Sequence, residues 1–189
     1  MNTTTRTKDI TLAAVLTAIS MLITFGPKII IGPFTMTLAS HVPTMLALFI
    51  NPFVTILTVI GSIIGFSITI GPLVAIRAAS HICFALIGYY MIKNKSINIF
   101  ITIIVTSVLH AGVEAILVYF LTGLLTPGAL SKQPLTYYVS IAFFGTLLQH
   151  FVDCAITAPI LFALKKARMI HMPVNVRHLA QPRESVVNK

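Results

Sequence analysis

Apolar residues fill this chain in long runs, and short polar or proline-containing breaks separate the runs. A helix needs about 20 apolar residues to cross a bilayer, so a chain of 189 residues has room for about six spans. The pattern predicts helices at about 10–25, 41–49, 53–70, 73–92, 97–125 and 137–167. The second of these is short, and Asn51-Pro52 separates it from the third because proline interrupts helical hydrogen bonding.

Composition narrows the class of protein. Hydrophobic residues make up 57% of the chain and charged residues only 9%, whereas a soluble domain carries about a quarter charged residues. The net charge of +9 does not indicate nucleic-acid binding, because the basic residues flank the apolar runs and form no patch with interleaved aromatic residues. A soluble enzyme and a nucleic-acid-binding domain are therefore excluded, and the sequence predicts a multi-pass protein of the plasma membrane.

The positions of the basic residues predict the orientation. Lys and Arg concentrate on the cytoplasmic side of membrane proteins. With the N-terminus inside, only Lys28 and Lys132 fall outside and Arg77 falls within a span. The cytoplasmic side then holds the other ten: Arg6, Lys8, Lys93, Lys95, Lys165, Lys166, Arg168, Arg177, Arg183 and Lys189. We predict an all-α bundle of six transmembrane helices spanning residues 1–170, with both termini cytoplasmic and a short basic tail at 171–189.

The segment between the first two predicted helices is unusually apolar for a loop. Its sequence, GPKIIIGPFTMTLAS at 26–40, contains two Gly-Pro pairs and only one charged residue, Lys28. A loop of this composition is poorly suited to water. We expect it to fold back over the outer mouth of the bundle as a lid, and the alternative is a turn that rests on the membrane surface.

Polar residues within the apolar runs mark the candidate site. Charged side chains in a bilayer are costly unless they are paired or hydrated, so each is a functional candidate. Arg77 and His81 on the fourth predicted helix, and His110 and Glu114 on the fifth, share an i, i+4 spacing that places each pair on one face. The predicted substrate-binding residues are His41, Arg77, His81, His110, Glu114, Gln149 and His150.

The same polar residues also suit a purely structural role or a metal site. Glu114 could pair with His110 or Arg77, and Asp153 with His150, only to hold the bundle together. A metal could be held by His110 with Glu114 and His150 with Asp153, as in bundle metal sites. There is no His-Glu-x-x-His sequence, no nucleophile motif and no nucleotide-binding loop. We therefore predict no catalytic residue, no metal and no cofactor on this chain.

Small residues on the first predicted helix form a second candidate surface. Ala14 and Ala18 lie four residues apart in TLAAVLTAIS, with Ala13 and Thr17 beside them. This spacing lets another helix approach closely in lipid, either inside the bundle or on a partner.

Two stretches of sequence resemble a known family. SHVPTMLALFINPFVTILTVIGSIIGF resembles the second and third helices of the substrate-binding S components of energy-coupling factor (ECF) vitamin transporters, with Asn51-Pro52 where the family has Gly-Pro. GPLVAIRAASHICFALIG is most similar to the pantothenate and niacin types. The Ala-x-x-x-Ala motif, the long apolar first loop and the polar residues on the later helices agree with this resemblance.

The resemblance implies a binding protein that has no energy source of its own. Such components take a vitamin from outside the cell and associate with a transmembrane coupling subunit and two ATPase subunits. By position, Ala14 and Ala18 would meet the coupling subunit, and the segment around 28–37 would be the lid.

The identity of the vitamin is predicted from the polar residues themselves. Because Arg77 suits a carboxylate, and the hydroxyls and amide of pantothenate would use several polar groups, we rank pantothenate first, niacin second and pyridoxine third. The alternatives are a self-contained proton-coupled carrier that uses Glu114 and Asp153, and an intramembrane metal-binding protein.

Overall fold

A computed structural model describes residues 3–31, 34–94, 97–125 and 128–167. Eight helices and one β-hairpin make up this part of the chain. In chain order they are α1 Thr3–Ile23, β1 Lys28–Ile31, β2 Phe34–Thr37, α2 Val42–Ala47, α3 Pro52–Thr69, α4 Pro72–Ala79, α5 His81–Lys93, α6 Ile99–Leu125, α7 Ala129–Lys132 and α8 Leu135–Lys166.

Within the described ranges, four helical stretches are long and apolar enough to cross a membrane. They are Pro52–Thr69, Pro72–Lys93, Ile99–Leu125 and Leu135–Lys166. The first two predicted spans are not among them. At 1.5 Å per residue α2 is only about 9 Å long, well short of the hydrocarbon core of a bilayer. The chain is a mostly helical membrane protein. Its number of spans, predicted as six, and the predicted cytoplasmic location of both termini remain predictions. Lys95 and the predicted tail at 171–189 lie outside the described residues.

The predicted breaks on either side of α3 are confirmed. The Asn51 side chain accepts a hydrogen bond of 2.9 Å from the Val54 N–H, and Pro52 occupies the first turn, where no N–H partner is needed. After α3, Gly71 has φ +125°, a conformation that favours glycine, and Pro72 begins α4. These local signals end one helix and start the next within a few residues.

The fourth predicted helix is divided into α4 and α5 at Ser80. The Ser80 hydroxyl donates to the Arg77 carbonyl at 2.6 Å, and the Ser80 N–H donates to the same oxygen at 3.0 Å. A serine hydroxyl that competes for a helical carbonyl bends or interrupts a helix. Arg77 and His81, which the i, i+4 spacing places on one helix face, therefore lie on either side of an interruption.

Helix α1 packs closely against α3 at two glycines of α3, where there is no room for a side chain between the helices. A Cβ atom at Gly61 would overlap with the Thr17 carbonyl oxygen, and one at Gly65 would lie 2.5 Å from Thr24 Oγ1. Small residues thus allow the backbones to touch, as is typical of helix pairs in lipid.

The predicted coupling motif lies on a different face of α1. Ala14 and Ala18 are exposed, whereas Ala13 is 1% exposed and belongs to the core. Close internal packing therefore involves Thr17 and not Ala14 and Ala18. Their role as a partner contact stays a prediction.

The apolar segment after α1 folds as an antiparallel hairpin, an element that the all-α prediction omitted. Lys28 pairs with Thr37 and Ile31 with Phe34. Phe34 is buried, and its ring lies against Gly145 of α8 so closely that a Cβ there would come within 2.8 Å of the ring. The hairpin therefore packs on α8 through β2.

The turn that leads from the hairpin into α2 contains a strained residue. Ala39 has φ +64°, a left-handed conformation that costs an L-residue about 1–2 kcal/mol. Its N–H donates to Asp153 Oδ1 at 3.0 Å, and this bond helps to hold the conformation. We expect Ala39→Gly to raise the free energy of unfolding by up to about 1 kcal/mol, because glycine adopts this conformation without the steric penalty.

Chemical unfolding of the purified protein in detergent measures this effect. The matched control is Ala163→Gly, in an exposed position of α8, which should lower the free energy of unfolding by about 0.5–1 kcal/mol. A loss of stability in both variants would contradict the strain assigned to Ala39.

Candidate functional site

The structure brings all seven predicted site residues into one buried cluster beneath the hairpin. None of them is more than 4% exposed, although they come from the start of α2 and from α4, α5, α6 and α8. Each was predicted because it is a polar residue within an apolar run. The cluster consists of His41, Arg77, His81, His110, Glu114, Gln149 and His150, and Asp153 lies beside it.

Arg77 and Glu114 form an ion pair at the centre of the cluster. Glu114 Oε2 accepts from Arg77 Nε at 3.1 Å and from Arg77 Nη2 at 2.5 Å. The Thr146 hydroxyl donates to the same carboxylate oxygen at 2.6 Å. Two buried opposite charges that share hydrogen bonds stabilise one another, whereas either alone would be costly in this environment.

Asp153 connects the end of the hairpin to α8. Its Oδ1 accepts from the Ala39 N–H, and its Oδ2 accepts from the His41 N–H at 3.1 Å and lies 2.7 Å from His41 Nδ1. The internal pairing of Asp153 with His150 that the sequence left open is not formed, because both carboxylate oxygens bind groups at 39–41. The partner is distant in sequence, so helical spacing could not have indicated it.

Four histidines surround the ring of Phe84. The ring centres of His110 and His150 lie 4.5 and 5.0 Å from that of Phe84, and those of His41 and His81 lie 6.1 and 5.7 Å away. The four-ligand combination considered from the sequence is not assembled. The histidines that converge are instead His41, His81 and His110, whose ligand atoms all lie within 4.8 Å of one another.

Gln149 joins the hairpin to the cluster. Its side-chain N–H donates to the Thr37 carbonyl at 3.2 Å and to Ser40 Oγ at 2.9 Å. Because Thr37 ends β2, this amide fixes the edge of the hairpin directly above the site.

Two cavities lie next to the cluster. The polar one, beneath the hairpin, has a volume of about 20 Å³, and Arg77, His81, Glu114 and Gln149 contribute to its walls. The second is apolar, with a volume of about 120 Å³, and lies between α2, α5, α6 and α8. His150 and Thr106 stand among its otherwise mainly apolar walls.

Sequence reasoning missed three residues of the site. Phe84 is one apolar residue within an apolar run, so nothing marked it. Phe34, whose ring centre lies 5.9 Å from the Arg77 guanidinium carbon, belongs to the hairpin. Thr146 could have been found, because it lies one helical turn before His150 and therefore on the same face of α8.

The structure is that of a mostly helical membrane protein with a buried polar cluster, and the chain belongs to the substrate-binding S components of ECF vitamin transporters. It is 31% identical, over 193 aligned residues, to the niacin transporter NiaX of Lactococcus lactis subsp. cremoris (strain MG1363). The alignment covers 97% of this chain and 83% of that protein. No family model matches the chain, and no solved structure matches it. The predicted family and the predicted multi-pass plasma-membrane location are thus confirmed.

Proposed function

We propose that this chain is the niacin-binding subunit of an ECF-type importer. The observation that carries this proposal is its similarity, over nearly the whole chain, to a niacin transporter. The pantothenate-first ranking is not supported by this comparison, and niacin takes its place. The chain would deliver niacin through a coupling subunit and two ATPase subunits, with the coupling subunit bound at Ala14 and Ala18.

The chemistry of the cluster fits a small aromatic carboxylate. Arg77 supplies a cation in the polar cavity while it is paired with Glu114, and a carboxylate is the group that a guanidinium, with its five N–H donors, binds best. Phe66 adds an aromatic wall to the same cavity, and His81 and Gln149 add groups that hydrogen-bond to a pyridine nitrogen or a carboxylate. The self-contained carrier is less favoured, because Glu114 is occupied by Arg77 and Asp153 by residues at 39–41.

Calorimetry on the purified protein tests the choice of ligand. We expect niacin to bind more tightly than nicotinamide, which has the same ring but an uncharged amide. Losing a charge-assisted contact costs about 1.5–3 kcal/mol, so nicotinamide should bind at least about tenfold more weakly. Pantothenate and pyridoxine, measured in the same way, should bind more weakly still. Tighter binding of pantothenate than of niacin would contradict the proposal.

Replacing Arg77 tests the proposed contact. Arg77→Ala should weaken niacin binding at least about tenfold, and Arg77→Lys should restore it only in part because an ammonium cannot form the bidentate contact. Lys132→Ala, which removes a cation outside the cluster, is the matched control and should bind as the wild type does. Thermal unfolding of each variant shows whether it is folded. Unchanged affinity in folded Arg77→Ala would make Arg77 only a structural partner of Glu114.

A further inference from the structure

If the Thr106 hydroxyl donates to a backbone carbonyl, the hydrogen-bond network places the lone pair of His110 on Nε2. The Thr106 hydroxyl donates its only hydrogen at 2.8 Å to the Thr102 carbonyl, so its 3.3 Å contact with His150 Nε2 places a hydrogen on that nitrogen. The neutral His150 ring then accepts at Nδ1 from His110 Nδ1, 3.1 Å away. In this assignment the hydrogen of the neutral His110 ring is on Nδ1, so Nε2 carries none. Within the described part of the chain it is buried without a hydrogen-bond partner, 3.5 Å from Glu114 Oε1.

Asp153 indicates in the same way which nitrogen of His41 carries a hydrogen. The short contact between Asp153 Oδ2 and His41 Nδ1 places the hydrogen of this ring on Nδ1. In a neutral His41 ring the lone pair then lies on Nε2, which is 3.3 Å from His81 Nε2. A carboxylate bonded to the far nitrogen of a histidine is the arrangement that orients metal-binding imidazoles.

The three rings lie close together, with their ligand atoms within 4.8 Å of one another. The ring centres of His41, His81 and His110 lie 4.5, 4.7 and 4.8 Å apart, with interplanar angles of 69°, 79° and 89°. Zinc–nitrogen bonds of 2.0–2.1 Å at tetrahedral angles separate ligand atoms by about 3.3–3.4 Å. The distance from His41 Nε2 to His81 Nε2 is 3.3 Å, and Glu114 Oε1 lies 3.6 Å from His81 Nε2 and 3.5 Å from His110 Nε2.

The charge of the cluster also favours a cation. Among the described residues that form it, Arg77 is positive and Glu114 and Asp153 are negative, so with neutral histidines it carries one net negative charge. Buried and uncompensated charge is costly in a low-dielectric environment.

From these observations we propose that His41, His81 and His110 bind a divalent transition-metal ion, with Glu114 Oε1 as the fourth ligand. Imidazole nitrogens suit zinc, copper, nickel and iron, and zinc is bound by histidine and carboxylate ligands in tetrahedral sites. Asp153 and His150 act as outer partners that set the hydrogens of His41 and His110. The site shares His81 with the proposed niacin pocket, but its argument does not depend on the niacin assignment.

Zinc titration of the full-length protein, without niacin and with an affinity tag that lacks histidine, tests the proposal. The background carries His171→Gln and His178→Gln, which removes the two histidines outside the described residues. We expect one zinc ion per chain. His81→Gln and His110→Gln should each weaken zinc binding by at least about a hundredfold, and Asp153→Asn by about 10- to 100-fold, as is typical of outer partners. Cys83→Ser with Cys154→Ser, which removes both thiols, is the matched control and should bind as the background does.

Cobalt substitution gives a readout that does not depend on the variants folding. A tetrahedral site of three imidazoles and one carboxylate gives Co²⁺ intense visible absorption, whereas surface-bound octahedral cobalt absorbs weakly. Intense absorption that one equivalent of zinc displaces supports the site. Absence of zinc binding to the folded background protein, only weak octahedral absorption, or full affinity in folded His81→Gln would each overturn it.

Discussion

Replacing Glu114 by alanine should lower the free energy of unfolding by about 3–5 kcal/mol, the largest stability loss that we expect at a single position. The change removes the carboxylate that faces the Arg77 guanidinium, which is 3% exposed, and it also removes the acceptor of the Thr146 hydroxyl. A buried charge without its opposing charge is far more costly than the loss of an exposed ion pair. Unfolding of the ligand-free, metal-free protein in detergent measures the effect.

Two further variants show whether the ion pair itself is responsible. Asp9→Ala removes an acidic residue that lies in α1, away from the cluster, and should change the stability by no more than about 0.5 kcal/mol. Arg77→Met combined with Glu114→Leu removes both charges and should recover most of the loss, because apolar residues often replace a buried ion pair without destabilising the protein. If the double variant were as unstable as Glu114→Ala, lost packing rather than unbalanced charge would account for the result.

Replacing Ala14 or Ala18 by leucine should reduce niacin uptake by cells at least about tenfold while the purified protein still binds niacin. Both residues are exposed on α1, facing away from the glycines of α3, so a larger side chain leaves the bundle intact. It would, however, prevent the close helix approach that we propose for the coupling subunit. Uptake of labelled niacin and calorimetry on the same variants separate these two effects.

The same chain provides matched controls for this experiment. Ala155→Leu makes the same change at an exposed position of α8 and should affect neither uptake nor binding. Ala13→Leu places the extra atoms in the core and should reduce both through misfolding. If Ala14→Leu lost binding together with uptake, Ala14 would belong to the internal packing and not to a partner surface.

The fold was predictable where local chemistry decides it. Long apolar runs indicated the helices around α3, and Asn51-Pro52 indicated the break before it, since capping and proline geometry act over a few residues. The interruption at Ser80 and the pairing of β1 with β2 were missed. Composition does not show either feature. At Ser80 the side-chain hydroxyl competes with backbone N–H groups for a helical carbonyl, and in the isoleucine-rich segment strand pairing competes with an irregular loop.

The residues of the site were more predictable than their pairing. A polar side chain in an apolar run must be satisfied somewhere inside, so seven residues on several helices could be expected to meet. Their partners depend on how the helices are placed around each other, and helical spacing carries no such information. Asp153 therefore binds His41, 112 positions away in sequence, and not the neighbouring His150.

The water-sized cavity beneath the hairpin has a kinetic consequence. A volume of about 20 Å³ holds one water molecule, so no pyridine ring fits while Gln149 and Asp153 hold the hairpin against α8. If niacin binds in this cavity, as we propose, its entry requires the hairpin to open. The observed association rate should rise with ligand concentration and level off at the opening rate, far below the diffusion limit. By the same proposal, the contacts of Gln149 and Asp153 with the hairpin must break before release, so niacin would stay bound for as long as the hairpin remains shut.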